Sequence, residues 1–392
     1  MRLRWLPLIL LLALFAPQPA TAQTPAQRLK QLFTEHPIPA SWFAPTFLQQ
    51  VSTEQVSQII TQLTQQYGAF EHVEGEGIEY RVILERAVVP TRITLDAEGR
   101  IIGLFFSPPI PRIQEANELL DAFRQLPGTT SLLVLKDGQE FLALRPDTVL
   151  AVGSSFKLAI LAALQDAIEA GHHRWDEVVR LQPAWKSLPS GLLHTWPDDA
   201  PLTLHTLAAL MISQSDNTAA DALLSLLGRT TVEAYAPHNR PFLSTREAFI
   251  LKNPANQDIA HRFLEADEAG RRRLLDTLQT RPLPDASVFS GGPVQPAIEW
   301  FFSVRELCRL IEKVHELPLT QINPGPARRE NWQLVAYKGG SEPGVLNFTT
   351  YLIDSQGRHY CVSATWNHTE RLDEVRFVGL YQSLLQRLRS SP

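Results

Sequence analysis

The chain has 392 residues, of which 44% are hydrophobic and 20% charged, and its formal net charge is -5. That length accommodates two domains, and the balance is that of a globular protein rather than a disordered or fibrous one. The acidic net charge, with no Lys/Arg run interleaved with aromatics, excludes a nucleic-acid surface.

The N-terminus opens on Arg2 and Arg4, followed by the apolar run Leu6–Ala16 and the small-residue stretch Ala20–Ala22. The run is shorter than a comfortable membrane span. The pattern is that of a secretory signal peptide over residues 1–22, cut after Ala22. The expected location is therefore exported, periplasmic or extracellular, with no integral membrane segment left after cleavage. No cysteine follows the apolar run, so no lipid anchor at a cleaved cysteine is expected.

Residues 24–106 read as a small α+β domain. Thr24 and Pro25 start one helix. Ser52 with Gln55 forms a capping-box signature for a second, which Gly68 stops. Alternating segments then predict strands at 69–74, 78–86, 90–96 and 101–107, with a turn at Glu98-Gly99. The proline-rich stretch Ser107–Ile113 marks the boundary, and residues 107–124 form a linker and lead-in helix. From 125 to 390 a hairpin turns at Asp137-Gly138, a mostly helical middle runs from 154 to about 320, strands return after 330, and an amphipathic helix closes the chain. A sheet assembled from both ends, with helices between, predicts an α/β/α sandwich beside an all-helical lobe.

Cys308 lies in a helical pattern and Cys361 in a strand pattern; an exported chain permits a bridge, and a pair of buried thiols remains equally open. No His/Cys spacing suits zinc, so neither metal nor other cofactor is expected. His172 and His173 end a helix, and Trp300-Phe301-Phe302 is read as core packing.

Three short motifs carry the chemistry. Ser154 and Lys157 stand where an apolar helix begins. Unsatisfied N–H groups gather there, and a desolvated lysine can accept a serine proton. Ser215-Asp216-Asn217 breaks two apolar helices, and Lys338-Gly339-Gly340-Ser341 follows a predicted strand, where glycines allow close ligand approach. In this order and context the set resembles the class A β-lactamase and penicillin-recognising serine hydrolase superfamily. The segment Glu169–Leu181, with its Asp176-Glu177, adds to the likeness, which covers roughly 125–390.

The resemblance implies an α+β multidomain chain with a β-lactamase/transpeptidase-like fold, preceded by a small NTF2-like or cystatin-like domain. It implies that Ser154 is the acylated nucleophile and Lys157 its proton acceptor. Ser215 would relay a proton to the leaving nitrogen, and Lys338 would supply positive charge. Asn217, Gly340 and Ser341 would bind substrate, with the Ser154 and Ser341 amides forming an oxyanion hole. It also implies a water-activating glutamate after Ser-Asp-Asn, for which Glu247 is the candidate, although its flanks depart from the family pattern. Gly339 stands where the family has Thr or Ser, which removes a hydroxyl from the site. The expected substrate is a small molecule, a β-lactam first. An esterase or D-alanyl-D-alanine peptidase on the same scaffold is the alternative, and a penicillin or cell-wall ligand-binding protein without turnover is the alternative of another class.

Overall fold

A computed structural model describes residues 23–113 and 115–390; the expected signal peptide over 1–22 lies outside the described residues. The chain divides into two compact units, one ending at Pro109 and the other beginning at Ile110.

In the first unit, helix α1 (Pro25–Thr34) begins at a capping box formed by Thr24 and Gln27. Helix α2 (Thr53–Tyr67) begins at one formed by Ser52 and Gln55, and stops at Gly68, whose φ is +88°. Each box satisfies amides that a helix start otherwise leaves bare. An antiparallel meander follows, with strands β1 (Phe70–Glu76), β2 (Glu79–Leu84), β3 (Ala87–Leu95) and β4 (Ile101–Phe106) paired in sequence order. Leu29, Leu32 and Phe33 on α1 pack with Val82, Leu84, Val89 and Ile93 of the sheet to close a small core.

The second unit starts with helix α3 (Ala116–Arg124) and the hairpin of β5 (Thr129–Lys136) and β6 (Gln139–Leu144), which turns at Asp137-Gly138, both with positive φ. Helix α4 (Lys157–Glu169) follows a 3-10 turn over Gly153–Phe156. Most of α4 is inaccessible to solvent, so its one apolar body, Leu158–Leu164, anchors the core of the helical lobe. Around it lie α5 (Leu204–Ser213), α6 (Asn217–Leu227), α7 (Thr245–Lys252), α8 (Gln257–Glu265), α9 (Glu268–Leu278) and α10 (Val304–Val314). The chain ends in strands β7 (Leu334–Glu342), β8 (Val345–Ile353) and β9 (His359–Asn367) and helix α11 (Glu374–Ser390). The sheet order is β7-β8-β9-β5-β6, antiparallel throughout, so both ends of the unit supply it. One face packs on the helical lobe and the other on α3 and α11. Strand β7 is therefore an edge strand. Among the described residues no helix is long and apolar enough to cross a membrane.

Cys308 on α10 and Cys361 on β9 are joined as a disulfide, with Cα atoms 5.8 Å apart. The open question of the sequence is thus decided for a bridge: a helix and a strand far apart along the chain pack face to face, which the patterns alone do not reveal. Trp300 and Phe302 are core residues, as read, and the Trp300 ring stacks on Phe156 in the turn before α4. We expect the Cys308→Ser/Cys361→Ser protein to be less stable by about 2–4 kcal/mol in urea unfolding, because 53 residues separate the linked positions. A thiol titration of the native oxidised chain checks the bridge directly, with no free thiol expected.

Candidate active site

The turn that carries Ser154 is held from three sides. Val152 N donates to Trp300 O at 3.0 Å. The neighbouring Ser155, fully buried, donates to Asn347 Oδ1 on β8 at 2.6 Å. Asn347 in turn donates to Thr365 Oγ1 and Ala364 O on β9. The third side is the edge strand β7. A methyl group on Gly340 would lie 2.1 Å from Val152 O and 2.5 Å from Ser154 N; one on Gly153 would lie 3.1 Å from Ser341 N. The backbones therefore meet where only glycine fits, and the Ser154 and Ser341 amides bracket the contact.

Lys157 occupies the first position of α4, one helical turn from solvent in sequence but wholly buried in space. Its ammonium nitrogen lies 2.6 Å from Ser215 O and 2.6 Å from Asn217 Oδ1. It also lies 3.2 Å from both Ser154 Oγ and Ser215 Oγ. The two carbonyl oxygens can only accept, so they consume two N–H bonds. The remaining position, proton or lone pair, faces the two serine hydroxyls. Burial drives the Lys157 pKa down to about 7, against the raising fields of Asp221, Asp216 and Glu342. A free amine form is thereby accessible near neutrality.

Ser215 holds the turn between α5 and α6 with φ +57°, a left-handed conformation unusual for serine. That backbone turns its carbonyl and its hydroxyl toward Lys157 together. Ser190 Oγ donates to the same carbonyl at 2.7 Å. Asp216 caps α6 through Ala219 N and binds the amides of Leu192 and Leu193, so its role is to fix the turn. Asn217 Nδ2 donates to Leu188 O. On β7, Lys338 is buried and points to the same place, with its nitrogen 3.1 Å from Ser215 Oγ and donating to Gly339 O. Burial, and then the Lys157 charge, hold the Lys338 pKa well below the usual lysine range. Ser154, Lys157, Ser215, Asn217 and Lys338 thus share one hydrogen-bonded cluster, and Gly340 and Ser341 line it through the backbone.

Glu247 does not join them, and this corrects the expectation for it. It is the third residue of α7, where it closes a capping box with Ser244. One carboxylate oxygen accepts from Ser244 N at 2.8 Å, and both accept from Arg229, at 2.7 and 3.0 Å. Those three bonds occupy most of its acceptor sites and hold it on a helix start.

A second charged group went unnoticed in the sequence. Lys252, 1% exposed at the end of α7, is ion-paired to Glu299 and to Glu342, the residue after Ser341. It ties α7, the segment before Phe301-Phe302 and the site strand together. Nothing in the sequence pairs these positions, whereas Asn347 stands out as a lone amide in an otherwise apolar or hydroxylic strand.

The fold is β-lactamase/transpeptidase-like. Residues 112–249 match the profile of the "Beta-lactamase enzyme family". No curated protein matches the chain. Among solved structures, a β-lactamase from Sphaerobacter thermophilus DSM 20745 is similar at 18% identity and TM-score 0.50, covering 71% of this chain and 98% of that one. A β-lactamase from Chitinophaga pinensis DSM 2588 gives 18% identity and TM-score 0.47, with 71% and 98% covered. A protein described as PBP-A gives 16% identity and TM-score 0.48, with 70% and 96% covered. At 18% identity the likeness to the first of these bears on the fold alone.

Two substitutions probe the supports. Lys252→Met leaves the buried Glu299 and the partly buried Glu342 without their cation and should cost about 3–5 kcal/mol in denaturant unfolding. Gly340→Ala drives a methyl into backbone atoms and should cost about 1–3 kcal/mol. A Gly340→Ala protein as stable as the parent contradicts the close contact.

Proposed function

We propose that the second unit is a serine hydrolase that works through an acyl-enzyme on Ser154, with a β-lactam as its leading substrate. The observation that carries this reading is the placement of Lys157. Its two N–H bonds are spent on carbonyl oxygens, so its free amine form presents a lone pair to the Ser154 hydroxyl.

The Ser154 proton passes to Lys157 Nζ as Ser154 Oγ bonds to the substrate carbonyl carbon. The carbonyl electrons move to oxygen, where the Ser154 and Ser341 amides stabilise the charge. On collapse the carbon–nitrogen bond breaks, and the leaving nitrogen takes the Ser215 proton. Ser215 is replenished from Lys157, to which it is bonded, while Lys338 steadies its oxygen. Water then attacks the ester carbonyl and returns Ser154 to its resting form.

That last step lacks a dedicated carboxylate. Among the described residues, Glu247 is held by Arg229, Asp216 and Asp221 accept backbone amides at helix starts, and Glu342 is held by Lys252. This arrangement favours acylation faster than deacylation, as in a penicillin-binding enzyme, over rapid turnover. The exported location expected from residues 1–22 is supported by the Cys308–Cys361 bridge, since such bonds persist in oxidising compartments.

Intact-mass measurement after exposure to benzylpenicillin should show one adduct per chain, absent from Ser154→Ala. With nitrocefin we expect a burst of about one equivalent and a slow steady state, unchanged in Glu247→Gln. The absence of any adduct or turnover would leave a ligand-binding role without chemistry. The acylation rate should rise with pH through about 7 and level above it, because protonated Lys157 cannot accept the serine proton. A profile that falls through that range would contradict Lys157 as the acceptor.

A further inference from the structure

A cavity of about 380 Å³ opens where β7 turns into β8 and β9 ends. Lys338, Gly340 and Glu342 share one face of β7. Gly340 backs onto the nucleophile's turn, so Lys338 lies on one side of that contact and Glu342 on the other. The cavity, which Glu342 lines, is thus on the side away from the two site lysines. Much of its wall is apolar, from Pro293, Val294, Pro296, Pro343 and Val345. The wall is closely packed. A methyl on Gly344, at φ +81°, would fall 2.4 Å from His368 O and 2.7 Å from Pro293 Cγ. Arg371 donates to the carbonyls of Ser290 and Gly291, which anchors the segment leading to Pro293. Ala151, also in the wall, is bonded both ways to the Asn367 side chain, at 2.9 and 2.8 Å. An occupant therefore rests against the segment that leads into the turn of Ser154.

Against those walls stand two carboxyl groups, Glu299 and Glu342. One ammonium, Lys252, serves both, so one negative charge is left over among the three groups. Glu299 Oε1 meets Lys252, while Glu299 Oε2 is buried with no hydrogen-bond partner among the described residues. The Glu299 side chain is 2% exposed, so bulk solvent does not reach that oxygen. A buried carboxylate oxygen without a donor is costly. Burial, and then the Glu342 charge, raise the Glu299 pKa, so a proton is one way to meet that cost. A cationic donor in the cavity is the other. A calcium ion takes about six to eight oxygen ligands, and no group of three His, Cys, Asp or Glu among the described residues could hold a metal. Apolar walls around an unmatched carboxylate suit an organic cation instead.

We infer that this cavity binds a small organic ammonium compound, whose N–H groups donate to Glu299 Oε2 and Glu342 and whose apolar body lies against Pro293, Pro296 and Pro343. The occupant carries the one positive charge that Lys252 leaves unsupplied. The site is separate from acyl transfer and stands whether or not Ser154 is acylated. Held between Ala151 and Glu342, the ligand touches both segments whose backbones meet at the nucleophile's turn.

The test titrates the full chain by calorimetry with benzylamine and with benzyl alcohol, its uncharged counterpart of like size. Benzylamine should bind saturably and at least about tenfold more tightly than the alcohol. Glu299→Gln keeps the shape of the side chain and removes its charge. It should lose about tenfold or more on benzylamine and nothing on the alcohol. Val294→Trp fills the cavity and leaves all three charges in place, and it should bind neither probe. Thermal midpoints establish that each variant is folded, and the probe pair with Val294→Trp decides the matter even where Glu299→Gln fails to fold. Calcium chloride should give no saturable heat. A parent that does not bind benzylamine, or binds it no more tightly than the alcohol, overturns the inference, as does binding that survives either substitution unchanged. Saturable calcium binding that is lost in Glu299→Gln reassigns the cavity to an inorganic cation and overturns it equally.

Discussion

The burial of one ammonium group organises the second unit. Lys157 lies inside the protein with no carboxylate bonded to it among the described residues, and short contacts to Ser215 O and Asn217 Oδ1, with the fields of Asp221, Asp216 and Glu342, offset its desolvation. Those contacts require a carbonyl to turn inward from the α5–α6 break, and the left-handed conformation of Ser215 provides this. Asp216 holds the turn rigid by capping α6 and gripping the 192–193 amides. Even Gly191 follows from the same demand: with φ +87°, a methyl there would sit 2.3 Å from the Asp216 carboxylate. A strained turn, a buried cap and a glycine are thus consequences of where one lysine must be held.

The nucleophile's turn meets a second constraint from the sheet. Edge strand β7 can approach residues 152–155 because Gly153 and Gly340 leave no side chain between the backbones. The Ser155–Asn347 bond fixes the turn's position over the sheet, and the Phe156–Trp300 stack, 3.9 Å between centroids, fixes its height over the helical lobe. Lys252 then fastens the far end of β7 through Glu342. Desolvation, and then the neighbouring Glu342 charge, raise the Glu299 pKa, while the Lys252 charge holds the Glu342 carboxylate low, so the trio places its negative charge nearer the site strand. That field reaches Lys157 and opposes its loss of a proton. Support and tuning are therefore carried by the same residues.

Much of this was legible because it is local. Thr24 with Gln27 and Ser52 with Gln55 announce helix starts by chemistry contained in four residues. Asp137-Gly138 announces a hairpin in the same way. The three site motifs were legible as an ordered set, and the structure brings their side chains into one cluster. What escaped reading depends on partners distant in the chain. Glu247 looks like a candidate base and equally like the third residue of a capping box; Arg229, eighteen positions away, decides between them. Lys252 and Glu342 are 90 residues apart, and no periodicity links them. Cys308 and Cys361 each fit an apolar position, and only the packing of α10 on β9 brings them together. Strand β3 begins at Ala87, ahead of Pro90, although proline argues for a strand start; the Pro90 carbonyl still accepts from Ser107 N.

The charges in the site are also unevenly distributed, and this bears on what it can bind. Its two lysines share one serine hydroxyl at 3.1 and 3.2 Å; burial lowers the pKa of both, and the Lys157 charge lowers that of Lys338 further. The carboxylates in the neighbourhood are occupied elsewhere: Asp216 and Asp221 by backbone amides, Glu342 by Lys252. Had any of them been paired directly to Lys157 or Lys338, that lysine would hold its proton firmly. It could then neither accept one from Ser154 nor respond to a ligand's charge. Keeping the acids on other partners leaves the lysine pair short of negative charge, with both pKa values held below the usual lysine range.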